Sequence, residues 1–305
     1  MKQEFYARGK LMLTGEYFVL DGAKSLSFPT KFGQKMIVKS TRGSDLSWKS
    51  YDNEGNLWLE SQISLYDFSA VKTNDEDLSK GLQQYLKNAV RLNSEFLNNW
   101  NAFKVETHLE FPRNWGLGSS STLISLLAEW ADVNPFLLHF KVSDGSGYDV
   151  ACAGADAPII YTLQNDSLHY EEVDFNDALK KKMYFVHLNE KQSSAEAVKY
   201  YFKKVKSKKS IAKDITAITD EVLATKSLST LEELLNKHED IVAKAMDMPT
   251  VKSQRFSDYW GTVKSLGAWG GDFVMATSDK SHADTKKYFA SKGFNTVLPF
   301  SEMCI

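Results

Sequence analysis

The run Asn114-Trp115-Gly116-Leu117-Gly118-Ser119-Ser120-Ser121-Thr122 opens directly into the amphipathic stretch Leu123 to Trp130, and its residue types suit a phosphate cradle. Gly116 and Gly118 let the backbone approach an anion without Cβ interference, while the serines bring hydroxyls and N–H groups left unpaired at a helix start. Those N–H groups and the positive end of the helix dipole favour a polyphosphate. No Gly-Lys-Ser/Thr closes the loop, so this is not the Walker pattern. A serine N-cap following a glycine-rich turn is the competing reading of the same residues.

Three further segments carry chemistry-bearing residues. Ala7 to Gly22 sets Lys10 and Glu16 among apolar, strand-like residues. Gly145-Ser146-Gly147-Tyr148-Asp149-Val150-Ala151 places an acid in a glycine-rich bend, and Lys264 to Phe273 forms another glycine loop ahead of an apolar run. Asp149 could equally cap a helix starting at Val150, and Lys10 could cover strand surface with its stem while its head stays in water.

In this order, the four segments resemble the GHMP small-molecule kinases, the superfamily of galactokinase, homoserine kinase, mevalonate kinase and phosphomevalonate kinase, over almost the whole chain. The resemblance implies an α+β fold in two parts: a ribosomal protein S5 domain 2-like N-terminal domain over residues 1–175 and a ferredoxin-like C-terminal domain over 176–305. It implies ATP and Mg2+ as cofactors and a small-molecule acceptor. Gly116, Leu117, Gly118, Ser119, Ser120 and Ser121 fall on the nucleotide loop, with Ser120 as the magnesium ligand. Asp149 falls on the catalytic aspartate, which abstracts the acceptor proton or holds the nearby lysine, and Lys10 on the lysine that neutralises the transferring phosphoryl group. Glu16, Tyr17, Ser146, Gly147, Ser193, Ser194, Gly270, Gly271 and Asp272 fall on the acceptor side.

Within that superfamily, Gly145 to Val150 and Gly270-Gly271-Asp272 are similar to phosphomevalonate kinase motifs, so phosphomevalonate is the expected acceptor. Arg8, Lys24 and Lys191 are available for its second anionic group. Mevalonate kinase is the nearest alternative; a catalytically silent GHMP-fold nucleotide-binding protein is another, and diphosphomevalonate decarboxylase fits the loop at Asp272 less well. Departures from the pattern are the lack of an acid in Pro135 to Ser143, where relatives keep a second magnesium ligand, and tryptophans at 115 and 269. These indoles either close over the nucleotide or fill a gap left by a shortened helix between Trp130 and Gly145.

The elements that must hold these segments are legible from periodicity. Leu78 to Phe96 carries one apolar helical face, and Phe103 to Phe111 alternates as a strand leading into the cradle. Short strands broken by Gly22, Pro29, Gly33 and Gly43 are expected before Tyr51, while Ser61 to Glu76 is indistinct. A hairpin is expected across Asn165-Asp166, with strands at Met183 to Leu188, Phe273 to Thr277 and Thr296 to Phe300. Helices are expected at Ala195 to Val205, Ile211 to Leu223, Leu231 to Ala245 and Ala283 to Ser291. The 305 residues are 43% hydrophobic, enough for a core without staples. A formal net charge of -2 gives no global field for nucleic acid or an anionic membrane, and two cysteines without ligand spacing suit a reducing, cytoplasmic protein. Neither secretion nor a membrane anchor is expected, and the oligomeric expectation is a monomer or homodimer.

Overall fold

The computed structural model describes residues 2–98, 101–164, 167–191, 194–206, 208–269 and 271–305, Ser194 by its backbone alone. In chain order the elements are β1 (Lys2–Thr14), a 3₁₀ turn (Phe18–Asp21), β2 (Ser25–Arg42), β3 (Asp45–Tyr51), β4 (Leu57–Ser64), β5 (Ala70–Thr73), α1 (Glu76–Leu92) and β6 (Asn101–Leu109). Then come α2 (Ser119–Ala131), α3 (Pro135–Val142), α4 (Tyr148–Ala153), β7 (Ile159–Gln164), β8 (Ser167–Glu172), α5 (Asp177–Lys180) and β9 (Met183–His187). The chain ends with α6 (Ser194–Lys204), α7 (Lys208–Ala224), α8 (Leu228–Met246), α9 (Val251–Arg255), β10 (Val263–Ser265), β11 (Phe273–Thr277), α10 (His282–Ser291), β12 (Val297–Pro299) and α11 (Phe300–Met303). No described helix is long and apolar enough to cross a membrane.

These elements form two compact units whose segments interleave along the chain. The first comprises Met1–Gly9, Phe32–Arg113 and Leu117–Gly154. In it, Gln34 to Arg42 of β2 run antiparallel to β6, β6 runs parallel to β3, and β4 and β5 continue antiparallel beyond β3. The crossover from β3 to β6 passes through α1, whose apolar face buries Leu82, Leu86 and Ala89. Helix α2 buries Ile124, Leu126 and Leu127, and its Trp130 meets the rings of Phe96 and Phe103 edge-on. The helix expected to be shortened is present as α3, eight residues opened by Asn134, whose side chain accepts from the N–H groups of Phe136 and Leu137.

The second unit comprises Lys10–Lys31, Asn114–Gly116 and Ala155–Ile305. Ser25 to Ser27 pair with β7, which forms a hairpin with β8; the turn residues Asn165 and Asp166 lie outside the described residues. A separate antiparallel sheet has the order β10-β11-β9-β12, and every residue of β9 and β11 is buried. Around the 3₁₀ turn, Tyr17 and Phe18 pack with Tyr201, Ile215, Val242, Met246 and Trp269 from α6, α7, α8 and the glycine loop.

The breaks expected at Pro29 and Gly33 are absent: Ser25–Arg42 is one strand of 18 residues, set off from β1 by the turn that ends at Gly22. Proline interrupts a strand by removing a ladder donor, but Pro29 sits where β2 has left β7 and not yet reached β6. Gly33 follows for a different reason: a Cβ there would lie 2.4 Å from the Ala7 carbonyl oxygen and 2.5 Å from the Tyr6 hydroxyl. Because the first obstacle is backbone, Gly33→Ala should lower unfolding free energy by about 2 kcal/mol, read as a lower urea midpoint. An unchanged midpoint would show that β1 moves aside freely.

Candidate active site

Helix α2 begins at Gly118, in the left-handed region at φ 91°, and receives no side-chain cap. This is unlike α1, α3, α8 and α10, whose first turns accept capping from Asp75, Asn134, Ser227 and Ser281. The hydroxyls near α2 are engaged elsewhere. Ser121 Oγ donates to the Gly118 carbonyl at 2.9 Å, and Thr122 Oγ1 donates to Gln34 Oε1 at 2.6 Å. Ser120 is exposed, and its Oγ shares a hydrogen bond of 3.1 Å with the Tyr85 hydroxyl of α1. The N-cap reading of the serines therefore fails, and the first-turn N–H groups keep the orientation that favours an anion. Beside Tyr85 lies an open cleft of about 420 Å³, bounded also by Gly81, Gln84 and Phe140 to Asp144.

Helix α4 repeats the device. Gly147 at φ 83° opens it without a side-chain cap, and Ser146 before it is buried. Asp149 sits in the first turn, half-buried, with Oδ1 accepting from the Val150 N–H at 3.1 Å. The helix thus starts at Tyr148, one residue before Asp149, which is not its N-cap.

In the second unit, Lys10 Nζ donates to the Gly116 carbonyl at 2.9 Å. Gly116 has φ 63°, and a Cβ there would lie 2.1 Å from Asp272 Oδ2. Only glycine lets the start of the cradle lie against that carboxylate. Asp272 is itself held at φ 50° by two backbone bonds: its N–H donates to Glu190 O at 3.0 Å and its carbonyl accepts from the Leu188 N–H at 2.8 Å. Trp115 packs edge-on against Phe273. A lysine and a carboxylate thus meet the same glycine from residues 10 and 272.

Glu16 and Tyr17, expected on the acceptor side, are buried in the same unit. Glu16 Oε1 accepts from Lys264 Nζ, and both side chains are fully shielded from water. Lys264 also donates to the Ser265 carbonyl at 3.0 Å and lies 3.9 Å from Glu239 Oε2. Glu239 Oε1 accepts from the Ser265 N–H and hydroxyl at 3.2 and 2.9 Å. The Gly15 N–H donates to His238 Nε2 at 3.0 Å, so that nitrogen carries a lone pair and the ring proton sits on Nδ1. Burial, with Lys264 adding to it, holds His238 well below its ordinary pKa; its 3.3 Å approach to Glu16 is therefore not an ion pair. Burial raises Glu16 to about 7 against the pull of Lys264, and raises Glu239 too.

Tyr17 stacks on Tyr201 and its hydroxyl accepts from the Trp269 N–H at 2.9 Å. Trp269 is buried in that apolar cluster, which favours filling over closing on a nucleotide. Lys24 is engaged by Asp220 at 2.7 Å, while Lys191 is exposed and Arg8 stands over the Tyr6 ring. Gly271 is buried; Ser193 and Gly270 lie outside the described residues, as does the side chain of Ser194. Sequence reasoning missed Tyr85, His238 and Glu239, and read Lys264 only as the start of a glycine loop. For His238 there was a signal: Leu231, Leu235, His238 and Val242 share one buried helical face, and an imidazole within such a stripe needs a partner.

No family model matches the sequence, and no curated protein matches it. Solved structures do match. The mevalonate kinase of Methanococcus jannaschii is 17% identical with a TM-score of 0.69, covering 98% of this chain and 97% of its own. The phosphomevalonate kinase of Streptococcus pneumoniae, in complex with phosphomevalonate and AMPPNP, is 16% identical with a TM-score of 0.70, covering 96% and 97%. The galactokinase of Lactococcus lactis, complexed with galactose, is 14% identical with a TM-score of 0.65, covering 96% and 89%. This chain has the two-domain GHMP kinase fold.

Two outcomes follow from the geometry. Glu16 binds its proton more tightly folded than unfolded, so its contribution to stability is full below its ordinary 4.5 and is lost as pH rises to about 7. Wild-type urea midpoints should therefore fall relative to those of Glu16→Gln across that window, and a constant difference would place no proton on Glu16. Gly116→Ala should weaken the protein by about 2 kcal/mol, with Asp272→Gly in the same chain recovering the share owed to the clash and leaving the share owed to alanine at positive φ. Absence of recovery would separate Gly116 from Asp272.

Proposed function

We propose that this chain is an ATP-dependent kinase of a small hydroxylated or phosphorylated metabolite, with phosphomevalonate as acceptor. The observation that carries the reading is the uncapped start of α2, where three serines decline to cap a helix opened by a left-handed glycine. An anion is the partner those N–H groups lack, and the nucleotide's phosphates supply it. The likeness to small-molecule kinases supports the same reading, and Gly145 to Val150 supports the choice of acceptor.

In this mechanism an oxygen of the acceptor's phosphate forms a bond to the γ-phosphorus while the bond to the β-phosphate oxygen breaks, and ADP leaves with that electron pair. Asp149 takes the proton on its carboxylate when the acceptor phosphate arrives protonated. Lys10 supplies positive charge to the equatorial oxygens, where charge develops in the transition state. Magnesium, when bound, neutralises phosphate charge; the exposed Ser120 Oγ is a hard oxygen donor of the type it takes. Lys24 is engaged by Asp220, and the exposed Lys191 is the cation proposed to meet a phosphorylated acceptor.

A coupled ADP-release assay over mevalonate, phosphomevalonate, diphosphomevalonate, homoserine and hexoses tests the proposal, with phosphomevalonate expected to be turned over fastest. Turnover of mevalonate alone would move the chain to the neighbouring branch; tight ATP binding with no turnover on any acceptor would make it a silent nucleotide binder. Asp149→Asn and Lys10→Met should each lower kcat by about a hundredfold or more, and Ser120→Ala should weaken ATP more than acceptor. Near-native turnover in either of the first two would remove that residue from the chemistry. Neutralising Lys191 should raise KM for phosphomevalonate more than for any unphosphorylated acceptor.

A further inference from the structure

Two adjacent residues of α8 grip two segments that are distant in sequence. His238 takes the Gly15 N–H, and Glu239 takes the backbone N–H and the hydroxyl of Ser265. The gripped segments also hold each other. Glu16 pairs with Lys264, and the Tyr17 hydroxyl takes the Trp269 N–H, so three consecutive residues, 15 to 17, make three separate attachments. Out of water the three N–H donors of Lys264 need acceptors: it donates to Glu16 and to the Ser265 carbonyl, with Glu239 Oε2 3.9 Å away.

What these segments carry gives the grip its consequence. Five residues before Gly15, the same strand presents Lys10; seven residues after Ser265, the same loop presents Asp272. Lys10 and Asp272 then meet at Gly116. The connections close a ring, from Lys10 along β1 to Glu16, across to Lys264, along the loop to Asp272, and across Gly116 back to Lys10. Neither end of that ring can shift without the buried cluster shifting too. Its side chains are buried, and a charge displaced within it would lose its partner, so the ring resists such shifts.

We infer that His238, Glu239 and Lys264 are positioning residues that set Lys10 against Asp272, acting on turnover without touching ATP or acceptor. The turnover arm rests on the kinase reading above; the structural arm does not.

Hydrogen exchange by mass spectrometry on the full chain provides the structural arm. His238→Leu removes the hold on Gly15, and Glu239→Ala removes the hold on Ser265. If the segments form one clamp, each single substitution should speed exchange about tenfold or more in both residues 11–20 and residues 265–273, and in Trp115-Gly116. Glu239→Gln, which keeps an acceptor for Ser265, should restore most of the protection. Loosening confined to the segment each residue directly holds would overturn the clamp. Should Glu239→Ala fail to fold, Ser265→Ala, which deletes one of the two bonds, should give a smaller rise in both segments, with the same contrary outcome. In the turnover arm, kcat of the loosened variants should fall about tenfold with KM for ATP within twofold. Native kcat in a loosened variant would overturn the positioning role. Wild-type protein that phosphorylates no acceptor would sink the kinase reading, and exchange would still decide the clamp.

Discussion

An ammonium group removed from water has to be met by opposite charge close at hand, and Lys264 is met by Glu16 while Glu239 stands 3.9 Å away. Such a pair is weak evidence of net stability, because desolvating both ions offsets most of their attraction; losing one partner is costly because the other stays buried. Its effect is therefore on geometry. The chain segment with Lys10 and the loop with Asp272 are bound to tolerate only arrangements in which Glu16 and Lys264 remain in contact. Glu16 Oε2, Glu239 Oε2 and His238 Nδ1 have no hydrogen-bond partner among the described residues.

A second theme is how helices begin. In α1, α3, α8 and α10 an Asp, Asn or Ser side chain folds back onto the first turn. The two helices opened by left-handed glycines, α2 and α4, do without. The omission of side-chain capping at α2 costs only roughly a few tenths of a kcal/mol, because glycine is itself a tolerated N-cap. It follows the residues that the proposed chemistry uses, Ser120 and Asp149.

Much of the architecture could be read from residue order. Helical periodicity located α1, α7, α8 and α10 to within a few residues, because each buries one continuous face. The glycines of the cradle were legible for the same reason that they are needed, since positive φ favours glycine. What stayed hidden depended on pairing. Pro29 looked like a strand end because its neighbours in space are not written in its neighbours in sequence. Lys264 read only as the start of a glycine loop because its carboxylates lie 248 and 25 positions away. Tyr85 read as one more apolar position of α1, its hydroxyl's partner on α2 being invisible to periodicity.

The interleaving of the two units has a consequence for how such a protein can be taken apart. The chain passes from one unit to the other at 9–10, 31–32, 113–114, 116–117 and 154–155. A single cut after Gly154 keeps the first unit whole, but that piece carries off Lys10–Lys31 and Asn114–Gly116 of the second, so neither can be traded as a module by joining one gene fragment to another. Two of those crossings fall within the glycine-rich cradle itself, leaving Gly116 with one unit and Gly118 with the other. Insertions or deletions between them would alter both units at once, which confines tolerated length changes to loops such as the one between β4 and β5.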